Sequence, residues 1–226
     1  MRVAIYATPP AGAPLTRTAA LWLGRDAFSG EPTREADPAI DPIVAEPARY
    51  GFHATMRAPF RLAEGFDLED VDARLADFCA SRRTVTLPEM ELAGLGRFFA
   101  LVPAARSGAL ADLEASLLDA FEPMRAPLDA AEIARRKPDT LTERQKANLA
   151  AFGYPHVLDD FQFHMTLTGP VPEEERTRVS TLLAERFASF DGAPLSIDSL
   201  ALFVEPEPGA PFRVHSLHHF GGRPAA

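Results

Sequence analysis

Two short stretches of this chain share Phe, His, Thr and Pro in register: Phe52-His53-Ala54-Thr55-Met56-Arg57-Ala58-Pro59 and Phe163-His164-Met165-Thr166-Leu167-Thr168-Gly169-Pro170. Each offers an imidazole and a hydroxyl two residues apart. Paired histidines suit proton traffic near neutral pH, one accepting a proton from a nucleophile while the other donates one to a leaving oxygen. Thr55 and Thr166 suit hydrogen bonds to the non-bridging oxygens of a phosphate, and Arg57 would add positive charge to a pentavalent transition state. None of this chemistry calls for a metal.

Such groups must share a cleft, and strand periodicity supplies the means. Side-chain direction alternates along a strand, so His53, Thr55 and Arg57 point one way while Phe52, Ala54 and Met56 point the other. His164, Thr166 and Thr168 likewise oppose Phe163, Met165 and Leu167. An isolated His-x-Thr triplet usually just decorates a strand. Two copies, each following Phe and ending in Pro, favour a functional pair converging on one cleft.

The elements around the motifs recur too. Arg2 to Thr8 reads as a strand and Leu15 to Phe28 as a helix, followed by a proline-rich loop over 31–48. Asp67 caps a helix carrying Leu68, Val71, Leu75 and Phe78 and ending near Arg82. Strands follow at Thr84 to Ala93 and Arg97 to Pro103, the first weakened by Pro88. A helix over 108–122 opens the second half, and 126–160 reads as a helical insert with a capping box from Thr142 to Gln145. After the second motif come a helix with an acidic start at Pro172, carrying Val179, Leu183 and Phe187, and strands at Leu195 to Val204 and Phe212 to Phe220. Motif strand, helix, strand, strand thus appears twice. The expectation is one α+β catalytic domain over 1–226, with duplicated lobes over about 1–105 and 106–226 facing each other.

Composition narrows the function classes. With 226 residues the chain can bury a large core, and a formal charge of −9 with a pI near 5.2 disfavours long nucleic acid, which demands many Lys and Arg contacts. A locally held small anion is compatible with that charge. Cys79 is the only cysteine, which excludes an intrachain disulfide and reads as a packed thiol. No apolar run approaches the ~18 residues of a membrane span, and the N-terminus lacks signal-peptide features. The expectation is a soluble cytoplasmic protein with no membrane partner. No phosphate-binding Gly-x-x-x-x-Gly-Lys loop, dinucleotide-binding glycine motif or zinc-ligand cluster is found.

Other residues receive the plainer reading. His215 and His219 share a strand face that His218 does not, so they make no metal triad. His156 lies in a Pro-containing loop without an identifiable partner. Arg135-Arg136-Lys137 can attract a phosphate but reads first as a solvated helix end. Tyr6 has cleft-facing parity on the first strand.

The two triplets resemble those of the two-histidine phosphoesterase superfamily, which carries two His-x-Thr/Ser motifs in duplicated lobes. Within it, Trp22-Leu23-Gly24-Arg25-Asp26, Tyr50-Gly51-Phe52-His53-Ala54-Thr55, Arg144-Gln145, Gly153-Tyr154-Pro155 and Phe163-His164-Met165-Thr166-Leu167-Thr168-Gly169 resemble the branch associated with phosphonate-utilisation operons. The resemblance implies two mainly antiparallel sheets flanked by helices around a central cleft. It implies a metal-independent cyclic phosphodiesterase that needs no cofactor, with His53 and His164 as acid and base in unassigned order and Thr55 and Thr166 on phosphate oxygens. A small phosphorylated sugar cyclic phosphate is the implied substrate. Arg25, Arg144 and Tyr154 enter through the branch resemblance alone; with Tyr6 and Arg57, Arg144 and Tyr154 complete the candidate phosphate contacts. The competing readings are an RNA-end 2′,3′-cyclic phosphate or 2′,5′ phosphodiesterase and a non-catalytic nucleotide- or phosphosugar-binding module. Oligomeric state is left open.

Overall fold

Hydrophobic alternation in the first strand, β1 (Arg2–Ala7), divides the molecule. Val3, Ile5 and Ala7 join the main core, while Ala4 and Tyr6 join a smaller cluster with Ala27, Ala201, Phe203 and Phe212. A computed structural model describes residues 1–221 and shows an α+β fold with two antiparallel sheets. The larger sheet contains β1, β2 (Ala54–Phe60), β4 (Met90–Leu95), β5 (Phe98–Pro103), β6 (Met165–Thr166), β8 (Ser199–Glu205) and β9 (Arg213–His219), in the order β4-β5-β6-β2-β1-β8-β9. The smaller pairs β3 (Val85–Leu87) with β7 (Leu195–Ile197).

The recurrence read from the sequence is present with one added strand in each half. After β2 come α3 (Leu68–Ala80), β3, β4 and β5; after β6 come α7 (Arg176–Arg186), β7, β8 and β9. The halves interleave. Hairpin β4-β5 from the first half docks beside motif strand β6, whereas hairpin β8-β9 from the second half docks on β1, next to motif strand β2. The two motif strands therefore become neighbours in one continuous sheet.

Helices close the core. α3 packs against β8 and β9, and α4 (Gly108–Phe121) packs against β2. The stripe Leu110, Leu113, Leu117 and Phe121 on α4 is buried, each side chain contributing about 1.5–3 kcal/mol of apolar burial. Asp67 accepts from the Asp70 amide while the Asp70 carboxylate accepts from the Asp67 amide, which caps α3. Thr142 and Gln145 cap α6 (Glu143–Phe152) in the same way, and α6 with α5 (Ala130–Arg135) forms the helical insert. Cys79 is fully buried, and burial pushes its thiol up to about 12, so the packed-thiol reading holds.

Three boundaries differ from the sequence reading. α1 spans Pro14–Leu23 rather than reaching Phe28, because Gly24 adopts a left-handed φ of 77° and ends the helix. Residues 31–48, expected as a loop, contain the start of α2 (Asp41–Tyr50). Pro42 sits in the first turn, where a missing N–H costs nothing. Pro47 lies inside the helix and leaves the Ile43 carbonyl without its helical donor; the Gly169 amide donates to that carbonyl at 2.7 Å. Finally, Pro88 and Asp198 interrupt the two long strands expected at 84–93 and 195–204, splitting off β3 and β7.

Candidate active site

The pairing of β2 with β6 sets the site. Ala54 lies opposite Met165, and the antiparallel register that follows puts His53 across from Thr166 and Thr55 across from His164. Each imidazole thus takes the register position opposite the threonine of the other motif. Phe52, Ala54, Met56, Phe163, Met165 and Leu167 are buried, while His53, Thr55, His164 and Thr166 are partly exposed. The alternation read from the sequence holds across both triplets.

Both rings are oriented alike. His53 Nδ1 donates to the Gly51 carbonyl at 2.9 Å, and His164 Nδ1 donates to the Gln162 carbonyl at 2.8 Å, each acceptor two residues upstream. That leaves Nε2 of each ring as the nitrogen available for proton transfer. Thr55 Oγ1 lies 3.3 Å from His53 Nε2. Gly51 has a φ of 79°, and a Cβ there would lie 2.4 Å from Ala27 Cβ, so the position admits little but glycine.

The surroundings of the two histidines differ. Tyr6 stacks on His53 with ring centroids 3.7 Å apart and planes 18° apart. Burial holds the His53 ring down at about 4, helped by the nearby positive form of His164 and opposed by the Gly51 carbonyl. His53 is therefore neutral at pH 7. Phe98 approaches His164 at 5.7 Å.

The cleft has two lobes with common walls at Thr55, Ala58, Phe98 and Tyr154. The main lobe, about 880 Å³, meets Tyr6, His53 and Thr166. The second, about 680 Å³, meets His164, His156, Arg144 and Glu114. Motif backbones are fixed from outside the cleft. Thr8 Oγ1 donates to the Phe52 carbonyl at 2.8 Å, and Trp22 Nε1 donates to the Leu167 carbonyl at 2.7 Å. Thr168 is fully buried, and its Oγ1 accepts from the Phe99 amide.

Arg57 departs from the expected parity. Thr55 pairs with Tyr6, but Arg57 pairs with Ile5, so a bulge at Met56 inserts one residue and turns Arg57 toward the core. Only 2% exposed, it bonds Glu122 and lines neither lobe. It is removed from the phosphate contacts and serves as a buried ion-pair partner beneath α4. Arg144 borders the second lobe but is held by Asp160 through two bonds of 2.7 and 2.9 Å. Tyr154 faces both lobes. Arg25 donates to the Ala48 and Phe212 carbonyls and is structural. His218 bonds Asp72 and ties edge strand β9 to α3, and among the described residues no group of three or more His, Cys, Asp or Glu side chains is arranged to hold a metal ion.

Several cleft residues carried no sequence signal. Arg2 and Arg49 both pair with buried Glu205, and Arg61 pairs with Glu132, whose carboxyl Arg61 holds at about 2. Glu114, 1% exposed, accepts from the Leu158 amide at 3.3 Å, and burial pushes its carboxyl up to about 7. Arg49 stands beside Tyr50-Gly51-Phe52-His53, so proximity to the motif was the one available pointer to it. The others converge only through the fold.

A family model described as "Protein of unknown function (DUF1045)" matches residues 55–213. Two curated proteins called ribose 1,5-bisphosphate phosphokinase PhnN are each 36% identical over 221 residues. The one from Janthinobacterium sp. (strain Marseille) matches 93% of this chain and 49% of its own length, and the one from Laribacter hongkongensis (strain HLHK9) 96% and 51%. The chain spans about half the length of these relatives. Among solved structures, TT0787 of Thermus thermophilus aligns with a TM-score of 0.48 at 16% identity, covering 98% of this chain and 99% of that one. No helix among the described residues is long and apolar enough to cross a membrane.

Proposed function

The chain belongs to the DUF1045 family, and we propose that it is a metal-independent cyclic phosphodiesterase of the two-histidine type. The observation that carries the reading is the paired arrangement of the motifs: each His Nδ1 is tied to a carbonyl two residues upstream, and each ring stands across a strand from the other motif's threonine. A phosphate seated between the strands would meet one proton acceptor, one donor and two hydroxyls.

His53, neutral at pH 7, takes the base role. Its Nε2 accepts a proton from the attacking water as the water oxygen bonds to phosphorus. The bond from phosphorus to one ring oxygen breaks, and that oxygen takes the proton carried on His164 Nε2. One phosphomonoester and one hydroxyl result. Thr55 and Thr166 bond the non-bridging oxygens, whose negative charge grows in the transition state.

A small phosphorylated sugar is the substrate class we favour. The relatives' name refers to a phosphorylated ribose, and the sequence resembles a branch associated with phosphonate use. The same name specifies a kinase, but this chain has only two lysines, Lys137 and Lys146, neither following glycine, so no phosphate-binding loop of the Gly-Lys type is available. We assign no kinase step to it. The net charge of −9 disfavours long RNA.

The test is opening of ribose 1,2-cyclic phosphate bearing a 5-phosphate, and of nucleoside 2′,3′-cyclic phosphates, followed by phosphorus NMR with chelator present. Turnover should survive the chelator and fall by about 10²–10⁴ in His53→Ala and in His164→Ala. Turnover that needs added metal, or that persists in both variants, would overturn the reading.

A further inference from the structure

The main lobe is larger than one phosphate requires, and its cationic side chains are not equivalent. Arg2 and Arg49 lie along one wall, where both are held by the single carboxylate of Glu205. Arg61 is matched by Glu132 and lies 3.9 Å from Asp129. Arg135 and Arg136 line the same lobe, and neither has an ion-pair carboxylate among the described residues. In a chain of net charge −9, this gives one wall of the catalytic cleft two guanidinium groups that no carboxylate holds in an ion pair.

Their placement is built into the insert. α5 ends at Arg135, Arg136 forms its cap, and Lys137 takes a left-handed φ of 48°. The turn divides the basic run, leaving both arginines against the lobe and Lys137 outside it. The guanidinium of Arg136 lies 4.9 Å over the Tyr154 ring, a contact that orients its donors. Tyr154 is one of the walls common to both lobes, so it links Arg136 to the surface that carries the histidines.

We propose that Arg135 and Arg136 form a second anion subsite, which takes a phosphate group of the substrate other than the one between the histidines. The proposal rests on the phosphodiesterase reading and sharpens it to substrates with two phosphate groups on one small scaffold. Two arginines present fixed, fork-shaped donors to such a group. With no carboxylate bonded to either, their donors are available to a second phosphate.

The experiment compares ribose 1,2-cyclic phosphate with and without its 5-phosphate. The ratio of kcat/KM for the two compounds should favour the phosphorylated one in the native protein and fall about 10- to 100-fold in the Arg135→Ala/Arg136→Ala double variant, mainly through KM. Arg136→Lys should recover part of the ratio. A ratio unchanged in the double variant would overturn the subsite. Calorimetric titration with ribose 5-phosphate separates this outcome from failure of the parent reading. If neither cyclic compound is opened, the diesterase reading falls, while ribose 5-phosphate binding that is kept in His53→Ala and lost in the double variant still supports the subsite. Absent binding to the native protein, or equal binding to the double variant, overturns it.

Discussion

The two copies of the motif have the same local geometry and different surroundings. His53 precedes a seven-residue strand, lies under Tyr6 and is held near 4 by burial. His164 precedes a ladder of only two residues and is steadied by bonds to the chain beyond it, from Trp22 and to Ile43. The repeated motif supplies the pairing of imidazole with hydroxyl; the flanking residues supply the asymmetry. A symmetric pair would have no reason to prefer one direction of proton flow. In the proposed mechanism the burial of His53 gives this pair one.

That contrast can be broken most severely at Gly51. Gly51→Ala forces a side chain onto Ala27 at a left-handed backbone position and displaces the carbonyl that orients His53. Thermal and denaturant unfolding should show a loss of about 1–3 kcal/mol, with activity lost beyond what the folded fraction explains. Native-like turnover in this variant would separate the carbonyl bond from ring orientation.

Tyr6→Leu sharpens the contrast instead. On the proposed mechanism the acid limb of the pH–rate profile reports protonation of His53, so activity should be present above its depressed value of about 4 and lost as pH falls through it. Opening the stack lets water reach the ring and should raise that limb by about one pH unit. The same depression affects stability. Between the ordinary 6.5 and about 4 the unfolded chain binds a proton that the folded one refuses, so stability falls as pH falls across this window and is fully present above it. A limb that stays in place in Tyr6→Leu would assign it to another group.

The smallest effect is expected on the other side. Trp22→Phe keeps the ring's bulk and removes the bond to the Leu167 carbonyl, costing about 1–2 kcal/mol in unfolding measurements. Because the lost bond lies behind the His164 loop, kcat should fall while the acid limb set by His53 stays put. A shifted limb would mean that the two sides are coupled more closely than their separate anchors suggest.

Much of the site was legible in the sequence because strand parity is local. His53, Thr55, His164 and Thr166 needed only a period of two and a shared register, and the capping residues Asp67 and Thr142 needed only a spacing of three. Arg57 was lost to a single inserted residue, since a bulge reverses parity without altering composition. α2 was hidden by its prolines, because the bond that compensates Pro47 comes from a residue far along the chain. Arg135 and Arg136 were visible as charge, but their placement depends on the left-handed turn at Lys137 and on Tyr154 standing between the lobes. The interleaving of hairpins, too, lies beyond any window read along the sequence.

Pro47 makes the order of assembly matter. Within a helix its missing N–H would ordinarily leave a local debt, yet here the vacant Ile43 acceptor is filled by Gly169. A contact within one turn has been exchanged for one that spans most of the polypeptide. It cannot form during early, local helix growth and must await closure of a long loop. The segment just after His164 and the middle of α2 therefore reach their final positions together, so each half of the chain completes a bond the other lacks.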